Sequence, residues 1–166
     1  GIHPGSGSLR TVVRGCEVAD NGRDGIFICW RVQQGVFEHN RVENNGSAGI
    51  SIGHKDTDNL IRGNIISNNG RYGILFREEL PVMGAHRNRI EQNIIKDNGT
   101  LENEGYGIMI ESDVLDVEIV DNTISGQEVQ RFSIYSKSAE EVVLLENKVD
   151  PTTVQLGSFR RSLPQV

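Results

Sequence analysis

The chain has 166 residues, 36% hydrophobic and only 5% aromatic, which suits one domain over 1–166 and leaves no room for two sizeable cores. Its 19 glycines and 14 asparagines favour sharp turns and argue against a helical bundle. A formal charge of −6 with no basic block argues against nucleic-acid binding, and no run of about 18 apolar residues exists to span a membrane.

The start, GIHPGSGS, lacks the basic-then-apolar order of a signal peptide and reads as a loose segment containing His3. From Leu9 onward the chain repeats. Val13 and Val18 flank Cys16, and the same frame surrounds Asn40 (Phe37, Val42), Asn64 (Ile61, Ile66), Asn93 (Ile90, Ile95), Asn122 (Ile119, Ile124) and Asn147 (Leu144, Val149). The central residues are spaced 24, 24, 29, 29 and 25 apart. Between them recur Gly25-Ile26, Gly49-Ile50, Gly73-Ile74 and Gly107-Ile108, each with Ile or Phe two residues later, and a fifth copy keeps Phe132 and Ile134 as its inward pair. Apolar residues at every second position predict short strands that bury one side, three per repeat.

Strands repeating in register stack on their own copies about 4.8 Å away. The predicted fold is therefore all-β: a right-handed single-stranded parallel β-helix of about six coils, ~24 residues each, with recognisable coils over 9–150. The inward Asn column predicts a stacked amide ladder at about 1 kcal/mol net per hydrogen bond, with Cys16 as a small substitute in the first slot. Asn44, Asn45, Asn68 and Asn69, beside Gly46 and Gly70, read as surface-turn residues. The tail 151–166 loses the repeat and is a candidate cap through Leu156, Phe159 and Leu163. The short start predicts either further coils in a longer chain or end-to-end self-association.

The units NRVENNGSAGISIG, NIISNNGRYGILF and NIIKDNG with GYGIMI resemble the right-handed parallel β-helix repeats of the pectate-lyase-like superfamily. That resemblance implies a carbohydrate-active or glycan-binding domain, secreted or in the cell envelope. Lyase or C5-epimerase chemistry on an acidic polysaccharide leads. A glycoside hydrolase and a noncatalytic structural or binding module stay open, because the same coils serve all of these.

Two inserts, 78–87 and 100–105, border the Gly-Ile face near its middle, where binding loops would sit. Outward positions there place Phe27, Ser51, Leu75, Met109 and Ser133 in one row and Cys29, Gly53, Arg77, Glu111 and Tyr135 in the next. Proton abstraction next to a uronate carboxylate needs a base and a cation, roles open to His54, Lys55 and Arg77, with Glu111 beside them. Trp30 or Tyr135 could lie under a sugar ring, with Arg31, Asp56, Glu78 and Asp113 as further contacts and His86 from the insert ranking behind His54. Hydrolysis would instead pair carboxylates from Glu78, Glu111 and Asp113. No cofactor is certain; Ca2+ would draw on Asp56, Asp58, Glu79, Glu111 or Asp113. Cys16 and Cys29 lack the spacing of a metal site.

Overall fold

In the computed structural model, the described residues are 1–126, 129–137, 141–150 and 153–156. Their strands are β1 (Val12–Arg14), β2 (Glu17–Ala19), β3 (Ile26–Phe27), β4 (Val36–Glu38), β5 (Arg41–Glu43), β6 (Ala48–Ile52), β7 (Leu60–Arg62), β8 (Ile65–Ser67), β9 (Tyr72–Phe76), β10 (Arg89–Glu91), β11 (Ile94–Lys96), β12 (Gly105–Ile110), β13 (Val117–Val120), β14 (Thr123–Ser125), β15 (Gln130–Ser136), β16 (Val142–Leu145) and β17 (Val154–Leu156). Sheet 1 stacks β1, β4, β7, β10, β13 and β16; sheet 2 stacks β2, β5, β8, β11 and β14; sheet 3 stacks β3, β6, β9, β12, β15 and β17. All pairings are parallel, and each strand meets its counterpart one coil away, as in Val13↔Phe37 and Val18↔Val42. The described residues form a right-handed parallel β-helix with five complete coils and two strands of a sixth.

The core is the stack of inward columns. Phe37, Ile61, Ile90 and Ile119 from sheet 1, Val42, Ile66 and Ile95 from sheet 2, and Ile50, Ile74, Ile108 and Ile134 from sheet 3 have no solvent exposure. Burying each such side chain stabilises the coil by about 1.5–3 kcal/mol. β-branched residues suit these rungs because their stiff side chains fit a pleated surface facing like neighbours. Gly49 is required where sheet 3 begins: a Cβ there would lie 2.5 Å from Ile66 Cγ2 and 2.8 Å from the Gly73 carbonyl.

The expected Asn ladder runs at the corner between sheets 1 and 2. Asn64 Oδ1 accepts the Asn40 backbone N–H at 2.9 Å and its side-chain amide at 3.0 Å, and Asn64 Nδ2 donates to Phe37 O and Asn93 Oδ1, both at 2.9 Å. Asn93, Asn122 and Asn147 continue it, and the Cys16 N–H enters at Asn40 Oδ1.

A second ladder corrects the reading of Asn45 and Asn69 as surface residues. Asn21, Asn45, Asn69 and Asn98 stack between sheets 2 and 3 and end on Gln130 Oε1. Asn45, Asn69 and Asn98 are buried. Adjacent asparagines divide the labour: Asn44 and Asn68 take the left-handed turn at φ 54° and 53° on the surface, which aims the next amide inward. A short third ladder joins Gly35, Asn59 and Asn88 between sheets 3 and 1.

Three further expectations change. The start is not loose: Ile2 bridges Ile26, and the Cys29 N–H donates to Pro4 O. In the fifth coil, Ile134 pairs with Ile108 and Ser136 with Ile110, so Phe132 faces outward and Tyr135 sits beside Met109. A register shift at Gly105/Tyr106, next to the 100–105 insert, explains why spacing alone misplaced it. Val154–Leu156 continues sheet 3 by pairing with β15, and Leu156 packs against the core; Phe159 and Leu163 lie outside the described residues. No helix among the described residues is long and apolar enough to cross a membrane.

Candidate functional site

The outer surface of sheet 3 carries two different groups of side chains. At the strand ends toward sheet 1, coils one to three bring together Trp30, His54, Asp56, Arg77, Glu79 and Cys29. Farther along, coils three to five carry an aromatic group.

Asp56 organises the first group. It is fully buried where a ladder amide would otherwise sit, with Oδ1 accepting the Val32 N–H at 2.9 Å and Oδ2 the Gly53 N–H at 3.0 Å. Burial pushes its carboxyl up, while those backbone donors and Arg77 pull the other way. The Arg77 side chain reaches back across two coils, donating to Ser51 Oγ at 2.7 Å and Ile28 O at 2.8 Å, with Asp56 Oδ2 at 3.4 Å. Its guanidinium lies over the Phe27 ring at 4.5 Å. Arg77 therefore presents fixed positive charge at the surface, with its donors largely occupied. Cys29 sits beside it, and burial pushes that thiol up against the pull of Arg77, which disfavours a thiolate.

His54 occupies the turn after β6 at φ 47°, followed by Lys55 at φ 62°. Its Nδ1 is 3.3 Å from Glu79 Oε1, its Nε2 has no partner and no solvent contact, and the Trp30 ring covers it with centroids 3.6 Å apart and planes tilted by 39°. Trp30 itself is 47% exposed. The 78–87 insert starts at this point. It includes a short 3-10 turn, Pro81–Met83, and crosses back over coil two, where the Lys55 N–H donates to Met83 O at 2.7 Å. Glu79, named among the Ca2+ ligands, stands on the coil next to His54, just past the paired residues Ile52 and Phe76, so coil stacking brings the two together.

Other predicted residues stand apart. His86 holds Pro81 O through Nε2 at 2.9 Å and accepts the Leu115 N–H on Nδ1 at 3.0 Å, so it braces the insert. Arg31, Glu78 and Asp113 are exposed, Glu111 is half-buried on the next coil, and no hydrogen bond links the carboxylates of Glu78, Glu111 and Asp113. Asp58 forms a two-pronged pair with Arg87 at 2.7 and 2.9 Å. With Asp56 and Asp58 engaged in this way, the carboxylates named for Ca2+ do not converge: no group of three or more His, Cys, Asp or Glu among the described residues is placed to hold a metal ion.

The aromatic group was legible only in part, through Tyr135. Tyr72 and Tyr106 stack with centroids 5.6 Å apart, Tyr106 and Phe132 at 5.4 Å, and Tyr135 meets Tyr106 and Phe132 edge-on at 5.9 and 5.5 Å. The Tyr106 faces look along the helix axis and are covered by their neighbours, leaving it 8% exposed. Stacked this way, the rings seal the outside of the sheet and offer a sugar no open face at Tyr106. A depression of about 350 Å³, lined by Gly1, Ile2, His3, Arg23 and Asp24, meets the polar group only at Phe27.

The family model described as "Periplasmic copper-binding protein (NosD)" matches residues 2–134. Among solved structures, the periplasmic alginate epimerase AlgG aligns with 96% of this chain and 41% of its own at 17% identity and a TM-score of 0.67. The A-module of the Azotobacter vinelandii mannuronan C-5 epimerase AlgE4 aligns with 97% of this chain and 58% of its own at 17% identity and a TM-score of 0.54. The chain thus spans less than two thirds of either protein, and at this identity the likeness carries the fold alone. No curated protein sequence matches the chain.

Proposed function

The chain belongs to the family described as periplasmic copper-binding protein (NosD), and from its site we propose that it is a carbohydrate-active β-helix taking an acidic polysaccharide across the edge of sheet 3. The observation that carries this reading is His54, oriented by Glu79 and covered by Trp30, beside the fixed positive charge of Arg77. An imidazole backed by a carboxylate suits removal of the proton next to a uronate carboxyl group, and a nearby guanidinium opposes the charge that develops there. Arg31 and Lys55 supply further cations for a polyanion, and Trp30 supplies an aromatic surface. The similar folds include an alginate epimerase and a mannuronan C-5 epimerase, and inversion at C5 of a uronate requires breaking and remaking that C–H bond. Lysis and epimerisation share the abstraction step and diverge only afterwards. The periplasm of the family description agrees with a secreted or envelope location.

Copper does not fit the side chains present. The donors do not gather: no group of three or more His, Cys, Asp or Glu among the described residues is placed to hold a metal ion, Met109 is buried in the aromatic group, His86 is tied at both nitrogens, and burial pushes the Cys29 thiol up.

A noncatalytic glycan-binding module is the second reading. The enclosure of His54 Nε2 and the internal hydrogen bonds of Arg77 favour it.

Incubation with alginate, polygalacturonate and a neutral glucan in D2O, followed by NMR, separates these. Deuterium at C5 with inverted configuration means epimerisation, unsaturated uronates mean lysis, and binding without either means a module. Absence of binding to every acidic polymer refutes the proposal.

A further inference from the structure

We infer that Trp30 is a gate: its indole closes over His54 in the free protein and must swing away for the imidazole to meet a ligand. This rests on the reading of His54 as the functional base and extends it to the access step.

Three observations carry the inference. His54 Nε2 is sealed from solvent yet has no hydrogen-bond partner, a state that is rare for buried polar atoms. The Trp30 ring lies against the imidazole, with centroids 3.6 Å apart, and is carried on a turn whose next residue, Arg31, is in the left-handed region at φ 59°. That residue is itself 47% exposed, and no side-chain hydrogen bond to the described residues ties its indole in place. By contrast, the other parts of the site are locked. Nδ1 of His54 is directed at Glu79, and Arg77 is anchored at Ser51, Ile28 and Asp56. The movable part is therefore the cover. A sugar ring entering above His54 would replace the indole against the imidazole, and the displaced indole would be free to pack on the sugar's apolar face.

The test uses the whole chain. Diethyl pyrocarbonate labelling with peptide mass mapping reads the reactivity of His54 against exposed His39. An open state populated at about 0.1–10% makes His54 roughly ten to a thousand times slower than His39. Trp30→Ala should bring the two rates together, whereas Trp30→Phe keeps partial protection. Equal rates in the unmodified chain overturn the gate without relying on any variant, as does protection that survives Trp30→Ala. Because Trp30 is the only tryptophan, its emission also reports ring movement when oligouronates are added. Gated labelling with no emission response to any oligouronate leaves the gate standing and removes the glycan reading. Oligouronate binding with freely reactive His54 does the reverse.

Discussion

Asn69 offers the sharpest test of the coil architecture. Its Oδ1 accepts the Asn45 backbone N–H at 3.1 Å and the Asn45 side-chain amide at 2.9 Å, and its Nδ2 reaches Asn98 Oδ1 at 2.9 Å and Val42 O at 3.3 Å. Asn69→Ala leaves the buried Asn45 N–H without a partner, at about 1–3 kcal/mol, and opens a small cavity, for a total of about 2–4 kcal/mol. Asn69→Asp keeps the volume but turns a donor into an acceptor facing two oxygens, so it should cost at least as much near neutral pH. Its ionised form is disfavoured in the fold, which raises the folded pKa above the unfolded value of about 3.9. The Asp penalty, relative to the parent, should therefore shrink as pH falls toward that value, because the folded state then binds the extra proton. Asn68→Gly is the control: the residue is exposed, and Gly accepts its φ of 53°, so the change should stay within about 0.5 kcal/mol. Urea titrations at several pH values measure all three. If Asn69→Ala proves as mild as Asn68→Gly, the second ladder does not support the coils.

Other outcomes follow from the charged and aromatic groups. Asp56→Ala should cost about 3–5 kcal/mol in urea titrations, because it strands the Val32 and Gly53 donors and leaves Arg77 without its buried partner. Glu38, held by Arg62 and then Arg14, lies below the usual carboxylate range, so its contribution is present above the unfolded value and lost as pH falls through the folded one. Glu38→Gln should accordingly flatten the acid limb of a stability–pH curve. Tyr106→Ala should lower stability by about 3 kcal/mol in the same titrations by emptying the middle of the aromatic stack. His54→Ala should abolish deuterium incorporation or weaken oligouronate binding while changing unfolding by no more than about 1 kcal/mol, and equal activity would place the base elsewhere.

The repeat of Asn40, Asn64, Asn93, Asn122 and Asn147 between alternating apolar residues was enough to determine the parallel β-helix, its inner columns and its first ladder. Each of those features is periodic in the chain, and stacking copies at one strand spacing converts period directly into contact. The clustering of Trp30, His54 and Arg77 on one surface was legible for the same reason. What the sequence could not decide depended on a direction or a departure from the period. Asn45 and Asn69 look like Asn44 and Asn68 in composition, and only backbone geometry decides which amide of each pair turns inward. The fifth coil slips at Gly105/Tyr106, so counting placed Phe132 inside where Ile134 belongs. The insert without a counterpart in the other coils folds back over coil two, where Met83 O takes the Lys55 N–H, and Arg77 is anchored through partners two coils away. Periodicity in a solenoid specifies the rungs, whereas the tertiary structure alone decides where inserts return and which long side chains cross between rungs.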